Sequence, residues 1–302
     1  MNKYIGWLNV YKPINISSFE VLRKIKNQFN LSKIGHAGTL DPLAEGILPI
    51  AVGKTTKLMS FINDSIKEYE FEIKWGEQTA TDDREGEVIS ISSNIPSYMT
   101  IKKALKKYKG TLLQKPPKAS AVKINGKRAY NLFRNNENFE TKTREVNILE
   151  AKFIDQIQQN ISKIKIRCGK GFYVRSFARD FGKNLHTKAH IHSLKRISVG
   201  KFTIENSILL DDLLKISEMS FGITGFHTSI SMLDDILAFE IDDEKILKDI
   251  SHGRAVKLNK LEKSKPFGFN EKNKFYLLMN KNLVISIGKL EGRYFKPQKV
   301  LI

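Results

Sequence analysis

The residues best suited to chemistry lie in the run GHAGTLDPLAEG, residues 35–46. Its three glycines permit backbone geometries that a side chain would forbid. Pro42 biases the preceding Asp41 toward extended conformations. An ionised carboxylate held in such a loop can act as a nucleophile or stabilise developing positive charge. On spacing alone, an aspartate before proline is more often a turn former. A desolvated aspartate tends to take up a proton unless a cation stands beside it. Arg175, in the run FYVRSFARD, is a candidate for that cation, although the pattern alone equally fits a surface charge on an ordinary helix. Lys123, Lys127 and Arg128 surround an Asn125-Gly126 turn and form a basic cluster suited to phosphate contacts or to a solvated hairpin tip.

Other groupings promise less. Gly53-Lys54-Thr55 lacks the upstream glycine of a phosphate-binding loop, since Leu48 holds that position. His186, His190 and His192 match no zinc-ligand spacing and read as a connection between elements, so no metal is expected. The pairs Asp82-Asp83 and Asp234-Asp235 are sequential, point apart on regular elements, and read as surface charges.

The elements that must position these groups follow from periodicity. Ser17 and Glu20 form a capping box before Phe19, Leu22, Ile25 and Phe29, predicting a helix over about 18–29. Residues 31–46 read as a loop, followed by the apolar stretch Ile47–Val52 and a helix from Thr55 to Ile62. EYEFEIKW, 68–75, alternates strictly and is the clearest strand, with Tyr69 on its apolar face. On pattern alone Tyr69 is a core residue. Further strands are expected at 87–92, 118–124, 144–154 and 161–168, and helices at 100–109 and 174–185. The mixture lacks a regular βαβ rhythm, so the fold class is α+β around a mostly antiparallel sheet. From about Phe239 the texture turns to short strands with polar turns, which divides the chain into domains at 1–238 and 239–302.

Composition narrows the function. The 302 residues include 51 Lys and Arg against 32 Asp and Glu, a net charge of +19 that attracts polyanions, nucleic acid first among them. The single cysteine, Cys168, excludes an intrachain disulfide and reads as a half-buried strand residue. No signal-peptide pattern and no membrane-length apolar run is seen, so a soluble, cytoplasmic protein is expected.

The full motif set resembles the bacterial tRNA pseudouridine-55 synthases of the TruB type. Gly35, His36, Gly38, Leu40, Asp41, Pro42, Ala44 and Gly46, then Gly53, Thr56 and Lys57, match that family's signature. WLNVYKPINISSFEVL (7–22), KEYEF (67–71), the spaced Gly76, Thr79, Thr81, Asp83 and Gly86, PPKASAVKINGKRAY (116–130) and GKGFYVRSFARDFG (169–182) extend the likeness to about residue 200. Ala80 and Lys195 depart from it, and the tail resembles a PUA-type RNA-binding module more weakly.

The resemblance implies an isomerase that converts uridine 55 of the tRNA T loop to pseudouridine, with no cofactor and no obligatory protein partner. It implies that Asp41 is the nucleophile, Arg175 its charge-balancing partner, and Tyr69 an aromatic stacked on a flipped-out base. Tyr173 and Leu194 then shape the base pocket, His36 supports the vacated RNA stack, and Lys123, Lys127 and Arg128 meet RNA. The alternative is an RNA-binding or tRNA-folding factor whose catalysis is secondary.

Overall fold

Ser17 caps a helix as the capping box predicts: its hydroxyl accepts from Glu20 N–H, 3.1 Å away, at the start of Ser18–Gln28. A computed structural model describes residues 4–62, 65–220, 222–233, 236–258, 263–264, 275–281 and 283–302, so Asp234 and Asp235 lie outside the described residues. The chain divides into two compact units, one made of residues 1–40, 47–63 and 200–302, the other of 41–46 and 64–199.

In the first unit, strand β1 (Gly6–Lys12) pairs in parallel with Ile208–Leu209 and antiparallel with Phe226–His227. Helix α1 (Ser18–Gln28) buries Ser18, Val21 and Ile25, and leaves Phe19 74% exposed. Phe19 was expected on the apolar face. It lies about 100° around the helix from Ser18, off the buried stripe. The segment expected as one long loop contains a strand, β2 (Ile34–His36), antiparallel to the Ile50–Val52 end of β3 (Ala44–Val52). Gly53–Phe61 is a 3-10 helix. The C-terminal part is a six-stranded sheet, ordered Val256–Lys257, Tyr294–Val300, Leu283–Glu291, Tyr276–Asn280, Leu237–Glu240, Lys263–Ser264. Its core gathers Phe239, Ile250, Leu278, Ile285 and Phe295, with Ile250 supplied by the unpredicted helix Glu244–Ser251.

The second unit is built on a mixed, mostly antiparallel sheet. Its central strand β4 (Lys67–Trp75) buries Tyr69, Phe71, Ile73 and Trp75 in strict alternation. A hairpin follows, β5 (Glu77–Thr79) with β6 (Val88–Ile91), then helix α2 (Tyr98–Leu105) and strand β7 (Gly110–Gln114). The strand expected near 118–124 shrinks to β8 (Lys123–Ile124), paired with β9 (Lys127–Arg128) across the Asn125-Gly126 turn, both of whose residues have positive φ. Helix α3 (Ala129–Arg134), strands β10 (Arg144–Gln158) and β11 (Ile161–Cys168), helix α4 (Val174–Asn184) and strand β12 (Ala189–Val199) complete the unit. Within it the sheet order is β12-β4-β11-β10-β7, every pair antiparallel, with Ala44–Gly46 alongside β12 in parallel.

Helix α4 places Val174, Phe177, Ala178, Phe181 and Gly182 on one face, and Phe177 and Phe181 meet Phe71 and Trp75 edge-on at 6.0 and 5.6 Å. Cys168, expected half-buried, is fully buried beside this layer, and burial pushes its thiol up to about 12. Among the described residues, no helix is long and apolar enough to cross a membrane.

Gly46 sits at φ +107°, and a Cβ there would stand 2.2 Å from the carbonyl oxygen of Arg196 on β12. Gly110, at φ +95°, has nothing within 4 Å. Gly46→Ala should therefore lower unfolding free energy by about 2–4 kcal/mol and Gly110→Ala by about 1 kcal/mol in urea titrations. Equal losses would show that the close approach at Gly46 is not a constraint.

Candidate active site

Asp41 is set from both sides along the chain. Just before it, the buried Ser18 hydroxyl bonds both the N–H and the carbonyl of Leu40, each at 2.8 Å. Just after it, Ala44 N–H donates to the Asp41 carbonyl at 3.1 Å, closing a turn over Pro42, and residues 44–46 then pair with Leu194–Arg196. The loop therefore delivers one carboxylate to the end of the β12 pairing.

Arg175, in the first turn of α4, points its side chain to that carboxylate. Its Nε lies 2.9 Å from Oδ2 of Asp41, and its Nη1 lies 3.2 Å from Oδ2 of Asp83. Nη1 also donates to the carbonyl of Thr81 at 3.1 Å, and Nη2 to that of Ala119 at 2.9 Å. A side chain only 6% exposed thus has every face of its fork engaged, so its position is determined to within a hydrogen bond. The two carboxylates differ in access. Asp41 is 33% exposed at its side chain, Asp83 only 3%. Asp41 can meet a reactant; Asp83 can only balance charge. Two carboxylates on one guanidinium leave the locale electronegative, and Glu85 registers it: its carboxyl rises above the usual range through desolvation and then the charges of Asp83 and Asp41.

The surface reading of Asp82 and Asp83 is overturned. Both are buried, at 6% and 2% exposure, because residues 79–86 form a tight turn rather than a regular element. Asp82 takes φ +61°, and a Cβ on Gly86 would fall 2.4 Å from Thr81 Oγ1. The turn is tied to β12 by Arg84 N–H on the Ile191 carbonyl (2.9 Å) and Ile191 N–H on that of Asp82 (3.1 Å). Inside it, Asp83 Oδ1 accepts from Thr81 Oγ1 (2.5 Å) and Glu85 N–H (3.1 Å), while Asp82 pairs with Arg179 at 2.8 Å. The signal available in sequence was the Thr-x-Thr-Asp-Asp-x-x-Gly spacing, which demands a turn that sequential charges on a strand do not.

Tyr69 on β4 lies opposite Arg196 on β12, whose guanidinium, 1% exposed as a residue, acts on the phenol. Burial raises the phenol above its ordinary pKa. The Arg196 guanidinium partly offsets this, while Cys168 and Asp41 add to the rise. The hydroxyl therefore stays protonated across the physiological range. Arg196 was not singled out from sequence. Leu194 is buried on the same strand, opposite Phe71 and Ala44. Tyr173 caps α4, and its amide N–H and carbonyl are both clasped by the side-chain amide of Gln114, at 2.8 and 3.0 Å.

Asp41, Tyr69, Arg175, Tyr173 and Leu194 thus share one unit. His36 belongs to the other unit, half-buried on β2. Lys123, Lys127 and Arg128 are exposed on the β8–β9 hairpin, where Lys127 approaches Glu137 at 3.6 Å and Arg128 donates to the Ala121 carbonyl at 2.6 Å. Among the histidines, His190 is buried with Nδ1 at 3.0 Å from the Glu77 carbonyl. Among the described residues no group of three or more His, Cys, Asp or Glu is placed to hold a metal.

Asp83→Ala leaves the buried Arg175 with half its charge balance gone. It should cost about 3–5 kcal/mol in chemical denaturation. A loss within 0.5 kcal/mol, the range of ordinary surface substitutions, would mean that Asp83 does not neutralise Arg175.

Residues 26–174 match the model of the TruB family pseudouridylate synthase N-terminal domain. The chain is 40% identical over 258 residues to the tRNA pseudouridine synthase B of Ehrlichia chaffeensis, covering 85% of this chain and 87% of that one. It is 38% identical to the protein of the same name from Bartonella henselae, covering 98% and 95%. Among solved structures, an archaeal box H/ACA sRNP Nop10-Cbf5 complex aligns with a TM-score of 0.74 at 20% identity, over 99% of this chain and 86% of that one, a likeness of fold.

Proposed function

The chain belongs to the TruB family of pseudouridylate synthases, and from that premise we propose that it isomerises uridine 55 in the T loop of tRNA, with Asp41 as the nucleophile. The chain is an isomerase that makes pseudouridine in tRNA. The position, the T stem-loop and the roles of individual side chains are our reading. The observation that carries it is the 2.9 Å contact between a buried, four-way-bonded Arg175 and a carboxylate that remains one-third exposed.

The reaction breaks the bond from ribose C1′ to N1 of uracil, turns the base, and joins C1′ to C5. C5 then loses its proton and N1 gains one, so atoms and electrons balance without a group donor. The target nucleotide must leave its stack to reach a carboxylate that is only one-third exposed. Arg175 places its positive charge against Asp41 and fixes it through Oδ2, leaving Oδ1 for the reactant. Tyr69, kept protonated, stacks on the extruded base with its hydroxyl available for proton transfer. Leu194 and Tyr173 line the base pocket, and His36 props the vacated RNA stack.

Lys123, Lys127 and Arg128 fit phosphate contacts on folded RNA. Residues 239–302 serve as a PUA-like RNA-binding domain following a catalytic domain of 1–238, and the enzyme works in the cytoplasm without an obligatory protein partner. Nothing favours the alternative of a tRNA-folding factor with secondary catalysis.

The test is incubation with an unmodified tRNA transcript and mapping of the product. Wild-type protein should place pseudouridine at position 55. Asp41→Asn should slow single-turnover conversion by roughly 10³-fold or more while binding the transcript within about threefold of wild type. Turnover of that variant near the wild-type rate would remove Asp41 from the mechanism.

A further inference from the structure

Helix α4 carries Arg175, Arg179 and Lys183 at intervals of four, so they follow one another along one face, each about 6 Å further from the catalytic end. The first two are spent on protein. Arg175 serves Asp41 and Asp83, and Arg179 pairs with Asp82 at 2.8 Å and Asp180 at 2.9 Å and donates to the Lys115 carbonyl at 2.9 Å. Lys183 is different. It is exposed, and among the described residues no carboxylate lies within ion-pair distance of it or of Lys188, just beyond the helix.

The loop that carries Lys188 is fixed before any ligand arrives. Thr187 N–H bonds the Gly182 carbonyl at 2.9 Å, Asn94 Nδ2 bonds the carbonyls of Leu185 and His186 at 3.3 and 3.1 Å, and Thr187 Oγ1 returns to the Asn94 carbonyl at 2.5 Å. Gly182 allows this close return, since a Cβ there would lie 2.8 Å from that of Ala189. The helix-end carbonyls that would repel an anion are already bonded: Leu185 N–H covers those of Phe181 and Gly182.

The outcome is a cleft of 590 Å³ with Lys115, Arg179, Lys183 and Lys188 on its walls and Asp180 as its single acid. Gln78, Ser92 and Thr187 add neutral hydrogen-bonding groups, His186 contributes the one aromatic ring, and no large aliphatic side chain lines it. Four cations against one acid make an anion the ligand this lining favours by charge. It suits phosphodiester oxygens, and a volume of this size accommodates a nucleotide unit.

We propose that this cleft is a second phosphate subsite, which takes the RNA backbone a few nucleotides from the extruded uridine. The inference rests on RNA being the substrate. Lys183 stands about 12 Å along α4 from Arg175, roughly three to four nucleotides at ~3.4 Å of rise each. Neutralised arginines tie the stripe to the reaction centre, and the unpaired lysines extend it to the strand. Anchoring the backbone here resists recoil of the RNA when one nucleotide leaves its stack.

The test uses the full chain and the same unmodified tRNA transcript, with affinity followed by filter binding across a potassium chloride series. The variant Lys183→Gln/Lys188→Gln should flatten the log Kd against log salt slope by about 1.4–1.8 and weaken binding about tenfold at low salt, the loss expected for two phosphate contacts. The same charge change on α2, Lys102→Gln/Lys103→Gln, should leave that slope at the wild-type value, because those exposed lysines lie outside the cleft. A wild-type slope for Lys183→Gln/Lys188→Gln would overturn the subsite, as would an equal change in the α2 control, which would assign the effect to net charge. Product mapping on the same samples keeps the two readings apart. Pseudouridine formed by wild type together with an unaltered slope sinks the subsite alone. A flattened slope without any pseudouridine sinks the isomerase reading alone.

Discussion

A guanidinium with 5% of its residue surface exposed must be neutralised where it sits, or the fold that buries it is unstable. Arg175 meets this constraint with two carboxylates and two backbone carbonyls. The partners come from three separate places in the chain: Asp41, Thr81 with Asp83, and Ala119. One buried cation therefore ties the glycine-rich loop, the 79–86 turn and the segment after β7 to a single point. Those ties also orient Asp41, since its one-third-exposed carboxylate is held in place by the residue whose burial requires a partner.

The sheet makes this convergence geometric. Register along β12 puts Arg196 opposite Tyr69 and Leu194 opposite Phe71, while Ala44–Gly46 runs beside the same residues in parallel. A two-residue periodicity leaves no freedom: slipping β12 by one position would turn Arg196 away from the phenol and Leu194 out of the buried face it shares with Phe71. Gly46 is the residue that lets the loop come this close, and Gly182 does the same where α4 returns to β12. Positions that look like simple flexibility in a sequence are here sites of close approach.

Much of this was legible in the residues. Strict alternation in EYEFEIKW became a strand with every second residue buried, and the Ser17–Glu20 capping box began a helix at the next residue. Asp41 and Arg175 could be paired through the family resemblance but not through spacing, because 134 positions separate them and only the tertiary fold closes that distance. Asp82 and Asp83 were misread for a local reason. Adjacent acids resemble a solvated edge unless the turn around them is recognised, and a left-handed residue at Asp82 leaves no periodic trace. β12 escaped notice because its sequence, AHIHSLKRISV, mixes buried His190 and Arg196 with apolar residues and so hides its alternation. Phe19 erred the other way, an apolar residue at plausible spacing that faces solvent.

The account stands on the fork of Arg175 rather than on its charge alone. The most direct measurement is the single-turnover rate of Arg175→Lys at saturating tRNA transcript. Lysine keeps the positive charge but cannot reach Asp41, Asp83 and two carbonyls from one plane. The account predicts a fall of about a hundredfold or more in that rate, with the RNA affinity little changed. A wild-type rate in this variant would contradict it, because a point charge would then suffice where the structure shows a four-way clamp.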